Sequence, residues 1–142
     1  MDANAPDVVT GTPVERDETV VMFLRTEDDV AEIQRGWTRL EELVGLRGRR
    51  FFGAFYPSTQ EYRVCVQIKE GDDPTALGLE TGTLPGGSYL RVRLRGEAPQ
   101  VYSEIGPTFD ALAKASARDD ARPAIEFYRA HGEIDLLHPV AD

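Results

Sequence analysis

Apolar and polar positions in the first part of the chain predict a strand followed by an amphipathic helix. Apolar residues run through 19–24, which predicts a strand. They then recur at helical spacing from Val30 to Val44, and Gly45 is typical of a helix end. Thr26 heads a segment that resembles a capping box, which predicts Thr26 as the N-cap of this helix.

The next two apolar segments predict an antiparallel hairpin. Residues 51–56 are mostly apolar, residues 62–68 alternate, and Pro57 opens the turn between them. The second half of the chain repeats the order of strand, helix and hairpin, at 88–95, 101–117, 124–129 and 134–137. The pattern therefore predicts an α+β fold built from two βαββ repeats.

Equal spacing of the two predicted hairpins supports an internal duplication with a ligand groove between the halves. Aligning the halves on these hairpins places Tyr128 opposite Tyr56 and Glu126 opposite Ala54, with Phe52 on the same face. Side chains alternate along a strand, so a slip of one residue would reverse the faces.

Two stretches are predicted to be irregular. Residues 1–17 are rich in Pro, Asp and Thr and are expected to form a flexible lead-in to one domain at 18–140. Residues 71–87, which begin with a Gly-Asp-Asp-Pro sequence and end with Leu-Pro-Gly-Gly, are expected to connect the two repeats.

Glu126 is the candidate for chemistry. It lies in the middle of an aromatic strand, Pro123-Ala-Ile-Glu-Phe-Tyr128, where an apolar residue would be usual. Such a carboxylate either points to open water or lines a cavity. In a cavity it needs a cation, a hydrogen-bond donor or a reacting group, because an isolated buried charge is costly.

Charge and composition restrict the classes of binding partner and the cellular compartment that we expect. The formal net charge of −9 repels phosphates, so direct nucleic-acid binding is not expected. No window approaches ~20 consecutive apolar residues, so no membrane span is expected. The start of the chain lacks the pattern of a signal peptide, and the single cysteine, Cys65, fits a reducing cytoplasm.

An ordered set of segments carries a resemblance to a known family. The set is Trp37 with Leu40, Gly53-Ala-Phe-Tyr56, Tyr62-Arg-Val-Cys-Val66, Gly78-Leu-Glu80, Leu84-Pro-Gly-Gly-Ser-Tyr89, Pro123–Tyr128 and Ile134–Val140. In this order the segments resemble the GyrI-like small-molecule-binding domain, which is also the effector-binding domain of some AraC-type and MerR-type multidrug regulators. The resemblance covers residues 8–140.

This resemblance implies a ligand groove between two βαββ halves. It also implies that Glu126 lies in an aromatic pocket and meets lipophilic cations. Some stand-alone members of the family resemble hydrolases that open the cyclopropane of DNA-alkylating natural products, and others act as gyrase-inhibitor proteins. A helix-turn-helix module has no room before residue 18 or after residue 140, so a regulator that reads DNA directly is not expected.

Aromatic residues around Glu126 are the predicted ligand contacts. Trp37 lies on the apolar stripe of the first helix and suits either the core or a groove wall. Tyr89 shares a strand face with three arginines, which suits either solvent or the pocket. The predicted ligand-binding set is Glu126, Trp37, Phe52, Tyr56, Tyr128, Phe109 and Tyr89, of which Phe52 and Phe109 fit a core equally well. As an enzyme, the chain would use Glu126 as general base and Tyr128 or Tyr56 as donor to the oxygen that gains charge.

Metal and cofactor sites are not expected. His131 is predicted in a hairpin turn and His138 at a strand end, and no cysteine pair completes a ligand set with either. Cys65 has no recognisable catalytic partners. We therefore predict a cytoplasmic protein that binds hydrophobic, aromatic or cationic small molecules for sensing or sequestration. The alternatives are a cyclopropane-opening hydrolase and a module that binds a protein such as gyrase.

Overall fold

A computed structural model describes residues 11–129 and 132–141. The strands in this part of the chain are β1 (Thr12–Arg16), β2 (Thr19–Glu27), β3 (Phe51–Tyr56), β4 (Glu61–Gln67), β5 (Glu80–Leu84), β6 (Gly87–Arg95), β7 (Ala124–Tyr128) and β8 (Glu133–Pro139). The helices are α1 (Val30–Val44), α2 (Pro74–Leu77) and α3 (Ile105–Ala115), and a 3₁₀ turn (Gln100–Glu104) leads into α3.

All eight strands form one antiparallel sheet in the order β1-β6-β8-β7-β3-β4-β2-β5, which curls into a half-barrel. The first repeat contributes β2, α1, β3 and β4, and the second contributes β6, α3, β7 and β8. Their strands lie in mirrored order on either side of the β3–β7 pair. The predicted α+β fold with two βαββ repeats and a groove is confirmed.

Two segments that were expected to be irregular contain the edge strands of this sheet. Residues 12–16, inside the predicted lead-in, form β1 and pair with β6. Residues 80–84, inside the predicted connector, form β5 and pair with β2. Short polar segments such as these gain strand structure only from a neighbouring strand, so their own sequence pattern is weak.

Helix α1 begins later than the capping pattern predicted. Asp29 is the N-cap, and its Oδ2 accepts a hydrogen bond from the backbone N–H of Glu32 at 3.1 Å. Thr26 belongs to β2 and pairs with Tyr62, so its prediction as N-cap is wrong. Gly45 ends the helix as predicted, with φ of 75° and its N–H donating to the carbonyl oxygen of Glu41.

The sheet has two different faces. On one face α1 packs against β2 and β4, while α3 packs against β8. Each helix therefore covers the outer strands of its own repeat and leaves the central β3–β7 pair as the floor of a groove. The concave face, on the other side, is filled by apolar side chains, among them Val21, Phe23, Phe52, Ala54, Cys65, Ile125 and Leu137.

The pairing of β3 with β7 places Phe52 and Tyr56 on the face opposite to Glu126, whereas the alignment of the two repeats predicted that all three share one face. Glu126 pairs with Gly53, and Tyr128 pairs with Phe51. Tyr56 therefore points to the concave face, away from Glu126. The equal spacing of the two hairpins could not predict which side chains share a face with Glu126. That spacing concerns the pairing of strands within each repeat, and it says nothing about the pairing between β3 and β7. A shift of one residue then reverses which side chains share a face.

Gly53 occupies the point where the two repeats meet. A Cβ at this position would lie 1.9 Å from the hydroxyl oxygen of Tyr62 and 2.7 Å from Oε1 of Glu126. Space above the strand is therefore available only because the residue has no side chain.

Among the described residues, no helix combines the length and apolar character that crossing a bilayer requires.

Replacing Gly53 with alanine is expected to destabilise the fold by about 1–3 kcal/mol, because buried Tyr62 has to move away from the new methyl group. Urea denaturation followed by circular dichroism measures this change. Gly106→Ala is the matched control, since beyond the adjacent backbone no atom lies within 4 Å of the position that its methyl group would take. The control is expected to retain or slightly raise stability. A Gly53→Ala protein as stable as the parent would contradict the packing described for Gly53.

Candidate ligand-binding site

A cavity of about 690 Å³ lies between the centre of the sheet and the helices α1 and α3. Pockets of this size hold drug-sized ligands. Its aromatic lining comes from Trp37, Phe51, Phe55, Tyr62, Tyr102, Phe109 and Tyr128. Its other lining residues include Asp28, Val30, Ile33, Gln34, Glu41, Ile105, Gly106, Asp110, Arg118, Ala124 and Glu126. The groove is therefore aromatic and carries several charges.

Glu126 lies on the floor of this cavity and is 8% exposed. Its Oε1 accepts hydrogen bonds from the hydroxyl groups of Tyr62, at 2.7 Å, and Tyr128, at 2.6 Å. Its Oε2 accepts none from the described residues, and no buried polar side-chain atom among them lacks a partner. The second oxygen is thus accessible to a molecule in the cavity.

The bond from Tyr62 crosses an entire strand. Tyr62 lies on β4 and Glu126 on β7, with β3 between them. Neighbouring strands lie about 4.8 Å apart, so the backbones of β4 and β7 are separated by two strand spacings. The side chains of Tyr62 and Glu126 together bridge this distance. Gly53 lies beneath this contact, and any side chain there would displace it.

Burial has the largest effect on the pKa values of Glu126, Tyr62 and Tyr128. Loss of water raises the pKa of Glu126, the negative charge of Asp28 raises it further, and the two tyrosine hydrogen bonds act in the opposite direction. Burial and the adjacent carboxylate raise the pKa of Tyr62 and Tyr128 well above the usual value. Both phenols therefore remain hydrogen-bond donors at neutral pH.

Edge-to-face ring contacts hold one wall of the cavity. The Trp37 ring centroid lies 5.3 Å from that of Tyr128 and 6.1 Å from that of Phe51, with interplanar angles of 78° and 76°. Tyr102 meets Tyr128 at 6.4 Å and 75°. Such arrangements suit aromatic quadrupoles and leave ring faces for a ligand.

The charged groups of the lining are mainly acidic. Asp28, Glu41 and Asp110 join Glu126, and Arg118 is the cationic side chain among the described lining residues. The field in the cavity therefore favours positive charge.

Four of the seven predicted ligand-binding residues line this cavity: Trp37, Phe109, Glu126 and Tyr128. The other three lie on the concave face. Phe52 stacks on Phe127 with ring centroids 4.7 Å apart. The guanidinium of Arg63 lies 4.3 Å from the ring centroid of Tyr56, and the hydroxyl of buried Tyr89 donates to the carbonyl oxygen of Pro85 at 2.6 Å. The sheet therefore separates Phe52, Tyr56 and Tyr89 from Glu126. The prediction that these three residues line the same groove as Glu126 is wrong. A ligand role for any of the seven stays a prediction.

Tyr62 is the main lining residue that the sequence analysis missed. Phe51, Phe55 and Tyr102 were missed as well. Gly53 was the one indication of this contact in the sequence, because a glycine inside an aromatic strand indicates that another group approaches the backbone closely. The sequence does not say which group approaches.

The candidate metal ligands have other surroundings. His138 is 1% exposed, and its Nε2 lies 3.0 Å from the carbonyl oxygen of Ser116. Burial raises the pKa of Cys65 to about 12, which keeps it a neutral thiol. His131 lies outside the described residues. Within the described ranges, no three His, Cys, Asp or Glu side chains converge to hold a metal ion.

Solved structures share this architecture. An integron cassette protein from the mobile metagenome of Vibrio cholerae, VCH_CASS2, is 18% identical with a TM-score of 0.75, covering 94% of this chain and 98% of that one. SAV2435 bound to tetraphenylphosphonium is 12% identical with a TM-score of 0.64, covering 94% of each chain. The EcmrR C-terminal domain is 12% identical with a TM-score of 0.66, covering 94% of this chain and 98% of that one.

No protein-family model and no curated protein matches the sequence. The identities to the solved structures are low, so the likeness concerns the fold. This chain shares its fold with these three solved structures, and that fold is consistent with the one implied by the resemblance to the GyrI-like domain.

Proposed function

We propose that the chain binds a hydrophobic, aromatic, cationic small molecule in this cavity and serves to sense or sequester it. The observation that carries the proposal is Glu126, a buried carboxylate whose Oε2 is open to an aromatic cavity. The two tyrosine hydroxyl groups donate hydrogen bonds to Oε1, and a cation beside Oε2 would be the partner of the second carboxylate oxygen.

The energetics favour a large cation over a small hydrated one. Glu126 has already lost most of its water, so an incoming cation gains a strong attraction without having to desolvate this carboxylate. A large organic cation also holds its own water weakly. Each ring that it contacts adds cation–π attraction of about 0.5–2 kcal/mol.

The similarity to SAV2435 supports this ligand class. That protein, which has the same fold, is bound to tetraphenylphosphonium, a cation surrounded by four phenyl rings. Its ligand is a suitable probe for this chain.

A second function, hydrolysis of a cyclopropane-containing alkylating compound, is favoured by the raised pKa of Glu126. A carboxylate with a raised pKa is a better general base. It would take a proton from water as the water oxygen bonds to a ring carbon and the carbon–carbon bond breaks. The electron pair moves to a conjugated carbonyl oxygen, which Tyr128 stabilises by turning its single hydroxyl proton from Oε1 of Glu126 to this oxygen, and the proton returns from Glu126 to the product.

Glu126→Gln is expected to weaken tetraphenylphosphonium binding at least tenfold, because an amide carries no charge to pair with the cation. Quenching of Trp37 measures binding directly, since Trp37 is the single tryptophan and lines the cavity. Exposed Glu97 provides the matched control, as Glu97→Gln makes the same change in net charge. Equal affinity of Glu126→Gln and the parent would rule out Glu126 as the counter-ion.

Binding is also expected to weaken as the pH falls, because protonation of Glu126 removes the negative charge. The weakening begins at a higher pH than an ordinary glutamate would give, since the pKa of Glu126 is raised. The titration uses the same fluorescence assay. In Glu126→Gln the affinity is expected to change little over this range, and an equally steep fall in that variant would point to another group.

Stability without ligand provides an independent readout of the same pKa. A raised pKa in the folded state favours folding at low pH, and this contribution is lost as the pH rises through the folded-state pKa. The stability of Glu126→Gln relative to the parent is therefore expected to increase as the pH rises from about 4.3, the ordinary pKa of glutamate, through the raised folded-state pKa of Glu126. A relative stability that decreases over this interval would contradict the raised pKa.

For the hydrolytic function, a trace of protein mixed with excess cyclopropane-containing alkylator is expected to convert many equivalents to a product heavier by one water. Mass spectrometry measures the conversion, with Glu126→Gln as the inactive comparison. Recovery of intact compound from the parent protein would exclude hydrolysis of that compound class.

A further inference from the structure

We propose that the preferred ligand is a zwitterion, with an aromatic cation beside Glu126 and a carboxylate bound by Arg118. This inference rests on the proposed function and specifies its ligand class. Arg118 is the one cationic side chain that the described lining of the cavity contains.

Arg118 lies at one end of the cavity. It follows the end of α3 and forms an isolated β-bridge with Val140, the residue after β8. Strands β7 and β8 are antiparallel, so the end of β8 lies beside the start of β7. Arg118 is thereby fixed near the point where β7 begins.

The guanidinium of Arg118 retains free donors. Its Nε donates to Oδ1 of Asp120 at 2.8 Å, while its two terminal nitrogens form no hydrogen bond with any described residue. The Arg118 side chain is 28% exposed, against 69% for Asp120, so the arginine is the less exposed member of the pair. An arginine with free terminal nitrogens binds a planar carboxylate through two parallel hydrogen bonds.

The other charges in the lining restrict where an anionic group can bind. Asp28, Glu41, Asp110 and Glu126 repel a carboxylate, and Arg118 alone among the described lining residues attracts one. A ligand that is only a cation meets repulsion at this end. A zwitterion instead gains one attraction at Glu126 and a second at Arg118.

The spacing along β7 suits one compact ligand. Ala124 and Glu126 lie on the same face of β7 and both line the cavity. Two residues of a strand span about 6.7 Å, so the backbone at the start of β7 lies about this far from the backbone of Glu126. One aromatic molecule that carries a cationic ring system and a carboxyphenyl group can therefore be tested for contact with both Glu126 and Arg118.

Rhodamine B and its ethyl ester test this inference, because they share one cationic ring system and differ in whether the carboxylate is free. At pH 7.5 the parent protein is expected to bind the free acid at least fivefold more tightly than the ester, as measured by fluorescence anisotropy. Arg118→Gln is expected to weaken acid binding about fivefold and to leave ester binding within twofold. Glu126→Gln is expected to weaken the binding of both dyes.

Two further variants serve as controls. Arg95→Gln makes the same charge change at an exposed arginine that pairs with Glu133, and it is expected to preserve the preference for the acid. Arg118→Lys keeps the charge without the planar fork, so it is expected to retain a reduced preference. It also supplies the comparison if Arg118→Gln fails to fold.

Failure of the zwitterion inference is distinguishable from failure of the proposed function. Equal binding of acid and ester by the parent, or an unchanged preference in Arg118→Gln, would overturn the zwitterion inference. Binding of the ester and of tetraphenylphosphonium in a Glu126-dependent manner would then still support the proposed function. Failure of all three probes to bind the parent would overturn both.

Discussion

The arrangement of the cavity depends on the two hydrogen bonds that Glu126 accepts from Tyr62 and Tyr128. They hold a carboxylate at the bottom of an aromatic cavity, where burial alone would favour its neutral form. One of them joins the two repeats, since Tyr62 belongs to the first and Glu126 to the second. This bond exists only because Gly53 leaves the intervening strand bare. A single missing side chain thus couples the packing of the repeats to the chemistry of the cavity.

Duplication explains why the cavity lies where it does. Each helix packs on the outer strands of its own repeat, so neither covers the central β3–β7 pair. The resulting groove receives side chains from both repeats, and its floor is rigid because it is the middle of an eight-stranded sheet. The loops and helix surfaces around the floor supply the other charged side chains, Asp28, Glu41, Asp110 and Arg118.

Both faces of the sheet are rich in aromatic residues, but their surroundings differ. On the concave face, Phe52 stacks on Phe127 and the guanidinium of Arg63 lies over Tyr56, so these rings already have partners. On the helical face, the rings meet mostly edge to face around open space. The aromatic residues on the helical face are therefore the ones available to a ligand.

Local patterns in the sequence were sufficient to predict the order of the repeats, the α+β class and the unusual position of Glu126, because periodicity and composition are local properties. Which residues face Glu126 depended on the tertiary fold. Pairing between β3 and β7 joins segments that are distant in the chain, and a shift of one residue moved Phe52 and Tyr56 to the other face while bringing Gly53 beneath the carboxylate. Tyr62 became a partner of Glu126 for the same reason, since a contact across two strand spacings depends on sheet order and leaves no pattern in the local sequence.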